Sequence, residues 1–391
     1  MRICIISQSL YSLGGVQRVI VTLLNKMLEN PEYEITVMMP YLSNESNIFG
    51  LDSNVKIVNT LHFEKKSIST FILKGLRRIN KKTCKFDELH FYFLQKHFIL
   101  LPGELEGYIN ILNNGFDVII GAGCWQSLIV QVLSEKINAN CFGWMHSTYE
   151  SYFSTKSSQG KGYENFFRDN IKGLKELIVL TKSDKDIFDK KIKTNSKVLY
   201  NPIAERFLMK KIEIPNNDEL LFVGRLAMDC KGLDFLVDIV KKIYIKRPTI
   251  HLTIVGEGKD KVALEKKVLD AKLDSVISLV GRKNDVENYY RKSKVLLVPS
   301  RWEGFGLVLI EAMGCGVPVV AFHNKGPDEI LINEQGGFLI NQYDTEEFSN
   351  RVLDLLDNKS VWTKKSQEAK DRANDFLVDK ILREFKKIVF N

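Results

Sequence analysis

The sequence predicts an α/β protein made of two doubly wound, parallel-sheet domains, and three observations lead there. Short β-rich apolar runs alternate with helical patterns from one end of the chain to the other, which implies βαβ units. The eleven runs exceed what one compact open sheet usually carries. The periodicity also fails once, in "NPIAERFLMKKIEIPNNDE", where Pro, Asn and charge collect before "ELLFVG" restarts the pattern. Two facing Rossmann-like domains result, with the ligand expected at the carboxyl ends of the strands, in the interdomain cleft.

In chain order the first domain offers "RICIIS", "EITVMM", "DVIIGAG", "CFGWMH", "ELIVLT" and "KVLY" as strands. The second offers "ELLFVG", "HLTIVG", "VISLVG", "VLLVPS" and "PVVAF". The boundary lies near residues 205 to 217, giving domains 1–205 and 206–370. Residues 371–391 read as a terminal helix crossing back to the amino-terminal domain, with a stripe of Phe376, Leu377, Ile381, Leu382, Phe385, Ile388 and Val389. "TKSDKDIF" starts a helix capped by Ser183 or Asp184, in preference to forming a metal-binding D-x-D with Asp186. "LVLIEAM" is a helix stopped by "GCGVP", where Gly316 suits the carboxyl-terminal turn.

Composition narrows the function classes. The 391 residues are 45% hydrophobic, as in soluble globular proteins, and no run approaches the roughly 18 apolar residues that span a bilayer. "MRICIISQSL" turns polar too early for a signal peptide, so the expected location is the cytoplasm. Six cysteines lie far apart with no C-x-x-C pair, and they read as reduced and mostly buried. The net charge of +8 suits an anionic partner. Lys65 to Leu101 interleaves basic with aromatic and aliphatic residues, which fits either an anionic membrane face or a solvated basic face with a core-facing stripe.

Several constellations can carry chemistry. "FVGRLAMDCKG" places Gly224, Arg225 and Lys231 between a strand and a helix, where a flexible turn, two cations and a helix N-terminus suit a diphosphate. The other reading is a surface loop with two solvated bases. Recurrence of the same turn in "IVGEGKD" and "LVGRKND" favours the site, since all three turns would line one rim of one sheet. "SRWEGFGLVLIEAMGCGVPVV" holds Glu303 in a glycine-rich loop and Glu311 about two turns inside an apolar helix. A buried carboxylate needs a partner, either a Lys or Arg or the hydroxyls of a sugar. Gly14 and Gly15 follow the first strand, and His146 ends the strand "CFGWMH".

These residues carry a resemblance. Glu303, seven residues and Glu311, with "FVGRL", "KG", "VGRKNDV", "NKGPDEIL" and "SLGGVQRVIVTL", resemble the motifs of retaining family 4 glycosyltransferases of the GT-B fold. The resemblance is close through the carboxyl-terminal half and confined to a few motifs before it. It implies that Glu311 holds the nucleotide ribose, that Glu303 meets the donor sugar, and that Arg225 and Lys231 neutralise the departing diphosphate. Amides around Phe305, Gly306 and Leu307 would contact sugar and phosphate, Gly224 and Arg282 would lie against the nucleotide, and Gly14 and Gly15 would cover the phosphates. His146 would face a donor hydroxyl.

The implied reaction moves a hexose-type sugar from a nucleoside diphosphate, with UDP expected, to a hydroxyl of a lipid-linked or cell-surface glycan. The anomeric configuration is kept by front-face attack. No metal or other cofactor is expected, and the resemblance adds weight to the membrane reading of Lys65 to Leu101, because similar enzymes act on lipid-linked or lipid-anchored acceptors. A nicotinamide dehydrogenase would share the topology, but "SQSLYSLGGVQR" lacks G-x-G-x-x-G and no acidic residue clearly ends "EITVMMP". A nucleic-acid-binding protein would explain the charge, yet no recognisable module is present.

Overall fold

The computed structural model describes every residue except 13, 42–46, 65–66, 84–98, 102, 155–162, 210–213 and 391. Cys84 and much of the basic stretch from Lys65 to Leu101 therefore lie outside the described residues. The chain divides into two compact units, Met1–Pro202 with the residues from Asp379 onward, and Ile203–Val378.

In the first unit seven parallel strands are β1 (Arg2–Ile6), β2 (Glu34–Met39), β3 (Lys56–Asn59), β4 (Val118–Ala122), β5 (Asn140–Trp144), β6 (Glu176–Val179) and β7 (Lys197–Val198). Their order is β3-β2-β1-β4-β5-β6-β7. Ile5 lies opposite Val37 on one side and Ile120 on the other. The central strands are buried almost end to end, as a parallel sheet covered on both faces requires.

The second unit holds β8 (Glu219–Val223), β9 (His251–Val255), β10 (Ile277–Gly281), β11 (Val295–Val298), β12 (Val319–Phe322) and β13 (Gly337–Ile340), in the order β10-β9-β8-β11-β12-β13. Both sheets reverse their strand order once, between β1 and β4 and between β8 and β11. The carboxyl ends of the strands flanking such a reversal are where doubly wound sheets place their ligands.

Two strands went unread in the sequence. "KIVN" (β3) and "GFLI" (β13) are edge strands that pair with one neighbour each. The helix Lys182–Ile192 is capped by Thr181, whose hydroxyl accepts from the Asp184 N–H at 3.0 Å, rather than by Ser183 or Asp184. Asp184 is fully buried and accepts from the Tyr149 N–H at 3.3 Å, whereas Asp186 is exposed. Helical spacing turns the two carboxylates to different faces.

The terminal stripe packs where its apolar content requires. In the helix Val378–Phe390, Ile381, Leu382, Phe385 and Val389 are buried, and the Phe385 ring lies 5.9 Å from that of Trp144 in the first unit. Asp379 pairs with Lys26 at 3.3 Å, and Phe390 stacks on Tyr33. The return to the first unit begins at Asp379 and not at 371, because the preceding helix Lys359–Ala373 buries Trp362 and Ala369 in the second unit.

Four of the described cysteines, Cys4, Cys124, Cys141 and Cys315, are buried free thiols, and burial pushes the last two up to about 11 and about 12. No helix among the described residues is long and apolar enough to cross a membrane.

At the amino ends of the second sheet's strands, Asp218 accepts from Arg247 at 2.7 and 3.1 Å, from Thr249 at 2.6 Å and from Lys294 at 3.1 Å. Burial by itself would raise this carboxyl, but the hydrogen bonds outweigh it and hold the group down at about 2. A depressed carboxylate contributes stability that is complete above its unfolded pKa, near 4, and fades as the pH falls through its folded one. Asp218→Asn should therefore destabilise the second unit by about 2 kcal/mol at neutral pH. Urea melts of both proteins should converge between about pH 4 and pH 2. A gap that persists unchanged to pH 2 would exclude the linkage.

Candidate active site

The second unit gathers most of the residues singled out in the sequence at the carboxyl rim of its sheet, around the β8/β11 reversal. Gly224 follows β8, and its N–H donates to Val255 O at 3.0 Å, while the Gly256 N–H donates to Gly281 O at 2.9 Å. The turns after β8, β9 and β10 thus lie side by side along one rim. Asp260, from the second turn, accepts from the Met228 N–H at 2.8 Å and fixes the start of the short helix Met228–Lys231.

Lys231 ends that helix, and its Nζ donates to Glu303 Oε2 at 2.5 Å. The lysine side chain is 20% exposed and the glutamate 12%, so a charged pair sits at the reversal point largely out of water. Arg225 is exposed and approaches Cys230 Sγ at 3.8 Å. Arg282 follows Gly281 and is also exposed, two strands from β8.

Two of the rim's positive-φ glycines bear directly on the loops that carry Lys231 and Glu303. Gly232 has φ +61°, and a Cβ there would lie 1.9 Å from Pro299 O, so the loop before the helix Leu233–Lys246 and the loop after β11 touch main chain to main chain. Gly306, at φ +93°, starts the helix Leu307–Gly314 and directs its first N–H groups out of the loop that holds Glu303 and the buried Phe305. The Gly326 N–H donates to Glu303 O at 3.3 Å, holding the loop from behind.

Glu311 is 3% exposed and accepts from the Tyr290 hydroxyl at 3.0 Å. Tyr290 is fully buried. A phenol is thus one partner of the carboxylate for which sequence reasoning considered a Lys, an Arg or sugar hydroxyls. Nothing in "ENYYRK" marks that tyrosine, since its pairing crosses between two helices. Arg301 was missed for a similar reason. Its guanidinium bridges to Asp234 at 2.7 and 2.5 Å, and the pairing joins positions 67 residues apart.

The first unit carries the remaining candidates. Gly14 precedes the helix Gly15–Leu28 with φ 176°, an extended geometry open to any residue. A Cβ at Gly14 would meet only the flexible Gln17 amide, so neither its backbone nor its packing demands glycine. His146 follows β5 and its ring lies 4.3 Å from that of Trp144. Its backbone N–H donates to the Tyr152 hydroxyl at 3.1 Å. Burial pushes the imidazole down to about 3, so it is neutral at physiological pH. Nε2 is enclosed without a hydrogen-bond partner among the described residues. Those residues contain no cluster of His, Cys, Asp or Glu able to hold a metal ion.

Two doubly wound parallel-sheet units are the architecture of the GT-B fold. Residues 205–375 match the family of glycosyl transferases group 1. An uncharacterized glycosyltransferase of Haemophilus influenzae is 30% identical over 55% of this chain, a match that spans 61% of that relative's own length. The amylovoran biosynthesis glycosyltransferase AmsD of Erwinia amylovora is 23% identical over 99% of both chains. The structure of a mutant of S. aureus TarM, in complex with fondaparinux, alpha-GlcNAc-glycerol and UDP, superposes with a TM-score of 0.76 at 15% identity over 100% of both chains.

The glycine contact generates a stability prediction. Gly232→Ala forces a left-handed alanine into Pro299 O and should cost at least about 2 kcal/mol in a urea melt. Stability within about 0.5 kcal/mol of the parent, a typical surface effect, would mean that the two loops are not in contact there.

Proposed function

We propose that the protein is a retaining glycosyltransferase that moves a hexose-type sugar from a UDP-linked donor to a hydroxyl of a lipid-linked or cell-surface glycan. The observation that carries this reading is the Lys231–Glu303 pair at the β8/β11 reversal, beside the N-terminus of the helix Leu307–Gly314. A cation and backbone N–H groups suit a diphosphate, and a carboxylate suits sugar hydroxyls. AmsD is named for amylovoran biosynthesis, and the TarM structure of the same fold holds UDP.

In this reading Arg225 and Lys231 take the diphosphate and the amides of Phe305, Gly306 and Leu307 take phosphate and sugar. Glu311, oriented by Tyr290, accepts from the ribose, while Gly224 and Arg282 lie along the nucleotide. Glu303 grips the donor sugar, and neutral His146 faces a sugar hydroxyl. Gly14 and Gly15 cover the phosphates. The bond between the anomeric carbon and the phosphate oxygen breaks as the acceptor oxygen bonds to the same face of that carbon. The acceptor's proton passes to the departing phosphate. Stabilising the charge that builds on the diphosphate lowers the barrier most. No metal is used for this.

We also propose peripheral contact with an anionic membrane, over a smaller surface than the sequence suggested. Ile99, Leu100 and Leu101, at the end of the basic stretch, are core residues. In the helix Ile68–Thr83, however, Ile68, Phe71 and Ile72 are 82%, 79% and 54% exposed, at spacings that share one helix face. Lys and Arg crowd the surrounding sequence.

Transfer and donor hydrolysis across UDP-, GDP- and ADP-sugars test the activity, which should survive EDTA. No turnover with any donor would end the reading, and loss in EDTA restored by Mn²⁺ or Mg²⁺ would overturn the metal-free route. The two carboxylates should fail differently. Glu311→Gln should weaken UDP itself by about tenfold, because the ribose changes little during reaction. Glu303→Gln should lower turnover about 10²-fold while UDP affinity holds or rises, since it frees the Lys231 charge for phosphate. Equal loss of UDP affinity in both would reverse these assignments.

Vesicle binding should rise with anionic lipid, fall with salt as screening sets in over roughly 8 Å, and be lost in an Ile68→Ser/Phe71→Ser variant. Equal partitioning to neutral and anionic vesicles would remove the membrane contact.

A further inference from the structure

The loop after β8 brings Lys231 to the rim and the loop after β11 brings Glu303, and their ion pair exists only if the two loops keep a fixed offset. Arg301 spans that joint. Its guanidinium donates both arms of its fork to Asp234, at 2.7 and 2.5 Å, and one arm also reaches Met228 O at 2.9 Å. The same plane lies over the Phe235 ring, 4.1 Å from its centroid. The backbone adds to this, since the N–H groups of Arg301 and Trp302 both donate to Cys230 O, at 2.8 and 3.2 Å. Every one of these contacts runs from the loop holding Glu303 to the segment that holds Lys231 or follows it directly.

An exposed Arg–Asp pair is worth little, but this one is bidentate, stacked on an aromatic face and 21% exposed on the arginine side. Asp234 lies in the first turn of the helix Leu233–Lys246, where the helix dipole also favours a carboxylate. Arginine rather than lysine is needed, because an ammonium can neither fork nor stack in this way.

We infer that Arg301, fixed by Asp234, is a positioning residue that sets the distance between Lys231 and Glu303 and thereby the alignment of diphosphate and sugar. The inference rests on the function proposed above for that pair, but its geometric part is testable without turnover. In the ligand-free protein, acylation of Lys231 by an amine-reactive ester, followed by mass spectrometry, reports how firmly Nζ is held by Glu303. Lys246, on the same unit and bound to Glu346 and Asn350, serves as the internal reference. Arg301→Lys should raise the Lys231 labelling rate several-fold and leave that of Lys246 unchanged. Asp234→Asn, the milder variant, should do the same to a smaller degree.

In the transfer assay Arg301→Lys should lower kcat by about tenfold or more with UDP affinity within about threefold, because misplacement affects the aligned state more than binding. Combined with Glu303→Gln it should add little, since both act through one pair. Unchanged Lys231 labelling in folded Arg301→Lys and Asp234→Asn would overturn the inference whatever the activity. A parallel rise at Lys246 would also overturn it, by showing general loosening. Full additivity with Glu303→Gln would do the same. Absence of turnover in the parent protein, by contrast, would sink the proposed function and leave the labelling result to decide the positioning role.

Discussion

A parallel strand cannot pair with its successor through a tight turn, because the chain must first cross back over the sheet. Each crossover begins at a strand's carboxyl end, so every loop that can carry chemistry emerges on one rim. The second unit depends on this constraint. It aligns the turns after β8, β9 and β10 through main-chain hydrogen bonds and sets the loop after β11 beside them at the order reversal. Residues far apart in sequence meet there because the sheet leaves their loops no other exit.

What the rim then holds is set by charge. An ion taken out of water needs a partner, and each rim carboxylate has one nearby: Lys231 for Glu303, the Tyr290 hydroxyl for Glu311 and Arg301 for Asp234. Near Asp234 and Asp218 opposed effects are visible together. Burial raises the carboxyl, hydrogen bonds from arginine and its neighbours lower it, and the hydrogen bonds prevail. His146 has no opposing acceptor or negative charge, so desolvation acts alone and leaves a neutral ring.

The parts of the sequence that read most clearly are those whose cause is local. Alternating runs marked the central strands, and the break before "ELLFVG" lies close to the division at Pro202 and Ile203. Glycines at 232 and 306 stand where a positive φ demands them. The edge strands β3 and β13, each paired on one side only, went unread, and the Thr181 cap was displaced by two more prominent neighbours, Ser183 and Asp184.

By itself the sequence determined the two parallel sheets, the strand ends that carry Gly224, Arg225, Lys231 and Glu303, and an apolar terminal helix that had to be covered. Those features follow from hydrophobic period, turn residues and spacing, which act over a few positions along the chain. Tertiary structure alone decided that Lys231 meets Glu303, that Tyr290 donates to Glu311, that Arg301 locks onto Asp234 and that Phe385 comes to rest beside Trp144. The physical reason is that each partner is chosen by burial and hydrogen-bond geometry once the sheets have formed, and neither quantity has a counterpart in the linear order of residues.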